Sequence, residues 1–186
     1  MESTKTRVKI RPFTRGDYTD ITRIHNANFS PEYSVEADEF PFEDVTRPAH
    51  CRLGRWVAEY QGNVVGFGQY AQDAHNYDPR KFRVRTVVDP AYHCRGIGGQ
   101  LYDLVLSEVQ RFDPLMVYEW SREDMLCRVG FLARRGFVED MGVLFLALDL
   151  TTLGAHGGTA GVLVRTVLGA DRSTGYRQRT REPANA

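Results

Sequence analysis

The segment from Thr86 to Leu101 constrains this chain more than any other. It reads Thr86-Val87-Val88-Asp89-Pro90-Ala91-Tyr92-His93-Cys94-Arg95-Gly96-Ile97-Gly98-Gly99-Gln100-Leu101. A strand-like run passes through a proline turn into a glycine-rich loop, and the loop opens directly into an amphipathic helix. Glycine has no Cβ, so its main-chain N–H groups can approach an anion closely. A helix N-terminus adds donors with no intrahelical partner and a partial positive charge. Together they form a phosphate seat that needs no metal, and Arg95 adds a charge-assisted contact. Taken alone, Gly96-Ile97-Gly98-Gly99 reads equally as a tight strand-to-helix turn. The segment lacks the Gly-Lys-Ser/Thr of a P-loop and the glycine order of a dinucleotide fold.

The surrounding pattern alternates strands and helices. Val8–Phe13 alternates and meets Pro12, which predicts a first strand. Tyr18, Ile21, Ile24 and His25 have helical spacing, so a helix is expected from Asp17 to Phe29. A second short helix is expected from Ser34 to Phe40, before Pro41. Arg55–Tyr60 and Val64–Ala71 read as a hairpin turning at Gln61-Gly62-Asn63. The polar stretch Gln72–Arg80 reads as a loop and Lys81–Val88 as a strand. Ile97, Leu101, Leu104, Val105 and Phe112 share one helix face. Leu115–Trp120 reads as a strand. Met125, Val129, Leu132 and Ala133 mark a helix opened by Ser121 with Asp124 and closed at Gly136. Val143–Leu150 is the last apolar strand.

The length, 186 residues, fits one domain plus a short appendage. Its 24 basic and 24 acidic residues cancel, which argues against a general grip on nucleic acid or an anionic membrane. Three cysteines, Cys51, Cys94 and Cys127, form no CxxC pair, so neither a disulfide framework nor a zinc site is expected. The polar start and the lack of a long apolar run point to a cytoplasmic protein with no spanning helix.

His93-Cys94-Arg95-Gly96-Ile97-Gly98 resembles motif A of the GNAT N-acetyltransferase family, Q/R-x-x-G-x-G/A, with His93 at the first position. Phe131-Leu132-Ala133-Arg134-Arg135-Gly136-Phe137 resembles the family's helix-to-strand ending, and Arg11-Pro12 before Thr14–Asp17 resembles its opening. The resemblance covers about residues 8–150. It implies an α/β (α+β) acyl-CoA N-acyltransferase fold, a mixed, mostly antiparallel sheet of about six to seven strands with about four helices. It further implies acetyl-CoA as co-substrate, no metal, and an acetyl group passing directly to a primary amine of a small molecule or peptide. Thr86, Val87 and Val88 would hold pantetheine. His93, Cys94, Arg95, Gly96, Ile97, Gly98 and Gly99 would hold the pyrophosphate.

The same resemblance exposes a departure. The family's frequent general acid is a tyrosine where this chain has Leu132. Tyr118 and Tyr92 are substitutes by proximity in sequence alone, and Glu119 is a candidate general base. Asp73 and His75, in the loop before Lys81, are candidates for the acceptor side. The helices around Ile21–Phe42 should also shape that side, and Arg83 and Arg85 read as a solvated strand face or an attractor of acidic substrate. The competing reading is an acyl-CoA-binding module that has lost catalysis.

The domain is expected over residues 1–150. Residues 151–186 read as a tail with one strand at 161–168 and a flexible remainder. That segment resembles the start of a second unit in tandem family members. An orphaned strand there invites pairing with a second copy, so a homodimer is expected.

Overall fold

The computed structural model describes residues 8–29, 31–145 and 171–179. Seven strands and four α-helices alternate in it. They fall into two compact units, residues 8–118 with 179, and residues 119–145 with 171–178. No helix among the described residues is long and apolar enough to cross a membrane.

The first unit holds β1 (Lys9–Pro12), α1 (Tyr18–Asn26), α2 (Glu39–Thr46), β2 (Leu53–Tyr60), β3 (Asn63–Ala71), β4 (Lys81–Val88), α3 (Ile97–Gln110) and the start of β5 (Met116–Arg122). β1 to β4 pair antiparallel in chain order, and β4 pairs parallel with β5. The β2–β3 hairpin turns on two residues, since Tyr60 pairs with Asn63. Gln61 and Gly62 both have positive φ, 51° and 81°, which matches the twist of the flanking strands. The sheet is therefore mixed and largely antiparallel, as expected.

Both faces of this sheet are covered. On one, Ile21 and Ile24 of α1 and Phe40 of α2 pack on Val57, Phe67 and Val87. On the other, Ile97 and Leu101 of α3 pack on Ala58 and Val65. The second approach is close because β3 offers glycines there. A Cβ on Gly68 would lie 3.0 Å from Val105 Cγ2, and one on Gly66 would lie 3.1 Å from the Val87 carbonyl.

The entry to α1 is locked electrostatically. Arg11 on β1 grips Asp17 through two 2.8 Å hydrogen bonds. Asp17 also accepts from the Thr14 N–H and hydroxyl. Arg11 first, then the Thr14 donors, outweigh burial and hold the Asp17 carboxyl down at about 2.

Several expected boundaries shift. The α1 region opens as a 3-10 turn at Arg15–Asp17 and ends at Asn26. The second helix begins at Glu39 rather than Ser34, so Pro41 lies in its first turn. There its missing N–H costs nothing, and it starts the helix instead of stopping it.

The second unit holds the end of β5, α4 (Leu126–Arg134), β6 (Val138–Phe145) and all but the last residue of β7 (Asp171–Arg179). Met125, not Ser121, precedes α4. Gly136, at φ 78°, ends that helix as expected. The last apolar strand starts earlier than Val143, directly after Phe137, with a bulge near Glu139–Met141. The polar tail, read as flexible beyond residue 168, contains β7, paired antiparallel with β6. Main-chain pairing, which composition does not report, orders that segment. The strand expected at 161–168 lies outside the described residues.

Candidate functional site

The glycine-rich loop has the geometry of an anion cradle. Asp89 directly follows β4, and its N–H donates to the Val65 carbonyl at 2.9 Å. Its carboxylate caps the short Pro90–Tyr92 turn through the Ala91 N–H and takes a 2.6 Å bond from Arg23. Burial opposes the ionised form of Asp89, but Arg23 and the Ala91 N–H together prevail and lower its pKa. Two left-handed residues follow, Cys94 at φ 59° and Gly96 at φ 77°, on either side of Arg95. Such alternation turns successive N–H groups toward one side.

Helix α3 begins at once. Its first closed turn is the bond from Gln100 N–H to the Gly96 carbonyl, 3.2 Å. The N–H groups of Ile97, Gly98 and Gly99 therefore precede the intrahelical ladder. Cys94, Arg95 and Gly96 are exposed, whereas Ile97 is buried in the core beside Leu101. The loop is fixed from beneath and open above. Arg95 lies back along it, donating to the Ala91 carbonyl at 3.1 Å with its guanidinium 5.1 Å from the Tyr92 ring centroid. No three His, Cys, Asp or Glu side chains cluster as a metal site requires among the described residues.

The end of β4 carries a second feature. Main-chain groups alternate in direction along an antiparallel ladder. Since Asp89 bonds to β3, Val87 also faces β3, where it pairs with Phe67. The main-chain groups of Thr86 and Val88 are turned the other way. The Val88 carbonyl there accepts Asn28 Nδ2 at 2.9 Å and His93 Nε2 at 2.8 Å. Both of its lone pairs are committed. His93, first residue of the glycine motif, thus ties the loop to the strand end. β4 pairs in parallel with β5 at Lys81–Arg83 against Met116–Tyr118, and β4 itself extends to Val88.

Other candidates from sequence are dispersed. Tyr118 is half-buried and pairs with Arg83 across the parallel ladder. Glu119 is buried, with its carboxylate 3.4 Å from Arg128 and accepting the Trp120 N–H. Leu132 packs into the core at 4% exposure. Asp73 and His75 are exposed, and Asp73 accepts the His75 N–H in a local turn. Tyr92 is half-buried, edge-on to Tyr60.

A cavity of about 240 Å³ that sequence reading did not locate lies between α1, α2 and β4. Arg85 and His25 form its polar wall, with Phe29 and Phe40 beside them and Glu39 and Glu43 from α2. Arg85 donates to His25 Nδ1 at 2.6 Å. Guanidinium can only donate, so Nδ1 accepts, and Nε2–H donates to the Tyr33 carbonyl at 3.1 Å. His25 is thereby fixed as the neutral Nε2–H tautomer, stacked on Phe29 at 4.4 Å. The expected helices do line this space, whereas no residue of the loop 72–80 does. Asn28, Arg23 and the Arg85–His25 pair act across about 60 positions of chain, and nothing local in the sequence marks them.

No curated protein matches the sequence. A structure named as a candidate phosphinothricin N-acetyltransferase superposes with a TM-score of 0.71 at 13% identity, covering 95% of this chain and 100% of the other. That of yncA from Salmonella typhimurium, with its cofactor acetyl-CoA, gives 0.69 at 17% identity, covering 97% and 98%. The ribosomal-protein-S18-alanine N-acetyltransferase from Escherichia coli gives 0.66 at 11%, covering 97% and 99%. At these identities the likeness is one of fold. The sequence profile of the acetyltransferase (GNAT) family matches residues 18–137, across most of the chain, and the protein belongs to that family.

Proposed function

We propose that the protein is an N-acetyltransferase that moves the acetyl group of acetyl-CoA to a primary amine of a small molecule or peptide. The observation that carries this reading is the loop Cys94–Gly99, with two left-handed residues before the open N-terminus of α3 and Ile97 anchoring it in the core. Its N–H groups suit a diphosphate. Thr86 and Val88 present main-chain groups on the edge where pantetheine would pair, while Val87 is turned to β3 and contributes packing. The bound co-substrate supplies an acyl thioester. With the Val88 carbonyl committed, its N–H is the main-chain donor left to polarise a carbonyl at the strand end. Tyr118 as acid and Glu119 as base are the side chains to test. The proposal extends to an acetyltransferase domain over residues 1–150, a cytoplasmic location and a homodimer.

A specific observation favours a second reading. The position of the family's frequent tyrosine is filled by Leu132, a core residue, and Glu119 is engaged with Arg128. Both features suit a CoA-binding module without strong catalysis. Calorimetric titration with acetyl-CoA and thiol release across a panel of amines separate the two. Binding with amine-dependent release supports the enzyme. Binding without release on any amine supports the module, and no binding at millimolar acetyl-CoA defeats both. A monomer by light scattering at high concentration counts against the homodimer.

A further inference from the structure

We propose that the cavity between α1, α2 and β4 takes an amino-acid-type acceptor, an amine with a single carboxylate and an apolar side chain, whose carboxylate is held by Arg85. The inference rests on the acetyltransferase reading above and names its acceptor class. At about 240 Å³ the cavity lies below the ~300–1,000 Å³ of pockets for drug-sized ligands, so a small acceptor fits and a bulky one does not.

Charge gives the polarity. Arg85 is the cation of the wall, and its planar fork matches a carboxylate. It is oriented from behind, because His25 accepts from it and is itself fixed by Tyr33. His25 in its neutral tautomer adds no positive charge. Glu39 and Glu43 stand one turn apart on α2, exposed, on the same cavity. One cation within and two carboxylates at the rim favour a zwitterion and disfavour a dianion. Phe29, Phe40 and Val35 offer an apolar surface to a side chain.

Position supports the assignment. Arg85 and Val87 project to the same face of β4, where Val87 joins the α1-side core. Two strand residues span about 7 Å. A carboxylate on Arg85 therefore leaves its amine within reach of the Thr86–Val88 end, where the thioester is expected.

The experiment compares leucine, leucinamide and glutamate as acceptors, by thiol release at saturating acetyl-CoA. The amide's amine is less basic and more of it is neutral, so intrinsic reactivity favours leucinamide. The expected result is the reverse, with kcat/KM for leucine about 10- to 100-fold above the amide, the range of a charge-assisted bond. Arg85→Gln should bring that ratio to about one or below, mainly through KM, while the melting shift with acetyl-CoA persists. Glu43→Gln, at an exposed site, should raise the ratio of glutamate to leucine. Equal or better use of leucinamide by the native protein overturns the proposal, as does an unchanged ratio in Arg85→Gln. If Arg85→Gln does not fold, Arg85→Lys keeps the charge without the fork and should give an intermediate ratio; a native ratio there overturns the fork. If acetyl-CoA binds but nothing turns over, leucine binding by calorimetry decides: its presence, with leucinamide silent, supports the site, and its absence overturns it. Absence of any acetyl-CoA melting shift instead removes the underlying function.

Discussion

Gly96 allows the phosphate-seat argument to be tested with its own control. In the native protein, acetyl-CoA at a hundred times its dissociation constant should add about 2.7 kcal/mol of stability. For a chain of this size that is a rise of roughly 5–11 °C in Tm. Gly96 sits at φ 77° in an exposed loop. An alanine there pays roughly 1–2 kcal/mol to hold the left-handed conformation. In the unliganded protein the loop relaxes, so stability changes little. In the complex the loop must return, so affinity falls about tenfold. At the same acetyl-CoA concentration the stabilisation then drops to about 1.4 kcal/mol, half the native value. The control is Gly62→Ala. Gly62 has φ 81° and nothing within 4 Å of where its Cβ would lie, but its turn is held by the pairing of Tyr60 with Asn63. That variant should lose roughly 1–2 kcal/mol of stability and keep the whole ligand shift. Differential scanning fluorimetry of the two variants with and without acetyl-CoA reads both quantities. A full native shift in Gly96→Ala refutes the cradle, and an equal loss of shift in Gly62→Ala shows that the effect is not local.

Three further outcomes are expected. Asp17→Asn should cost about 2 kcal/mol by urea denaturation near neutral pH, from the fall of its carboxyl from 3.8 to about 2 on folding. Because the folded pKa is the lower one, this stability is complete above the unfolded value and lost as pH falls through the folded one. The gap between variant and native protein should therefore close between about pH 4 and 2; a gap that stays constant there contradicts the Arg11–Asp17 lock. Asn28→Ala removes donors to the Ile24 and Val88 carbonyls; it should cost about 1 kcal/mol and weaken acetyl-CoA binding in calorimetry, and intact affinity would separate Asn28 from the site. Gly68→Ala places a Cβ 3.0 Å from Val105 and 3.3 Å from Leu101; it should cost about 1–3 kcal/mol in chemical denaturation as α3 is pushed off the sheet, and a neutral result would show that the helix has slack.

What was legible in the sequence was what is local in the chain. The hairpin, β4 and α3 follow from alternation, turn residues and helical spacing within a few residues of one another. The glycine-rich loop belongs to the same class, since Cys94, Gly96 and Ile97 lie within one turn of the start of α3. Boundaries failed where a residue type has two meanings. Pro41 stops a helix or starts one according to its position in the first turn, and the α2 sequence alone does not say which. β7 was missed because a polar strand is ordered by main-chain pairing with β6, which its side chains do not announce.

The two halves of the candidate site differ in this respect because of how β4 is used. One face of the strand bears Phe82, stacked on Phe112 just beyond α3, so that face supports the helix that follows the glycine-rich loop. The opposite face bears Arg85 and Val87, which meet α1 and the core beneath it. Between the faces, the main-chain edge at Thr86 and Val88 is shared by both. A substitution at Arg85 or His25 can therefore alter what enters the cavity while leaving the α3 side of the strand intact. A substitution at Val88, His93 or Asn28 acts on the shared edge and must disturb both. The cavity was illegible because its lining residues, at positions 25–43 and 85, meet only when β4 is laid under α1. The two faces can therefore vary independently, so the residues that line the cavity can change without altering the frame that holds the glycine-rich loop.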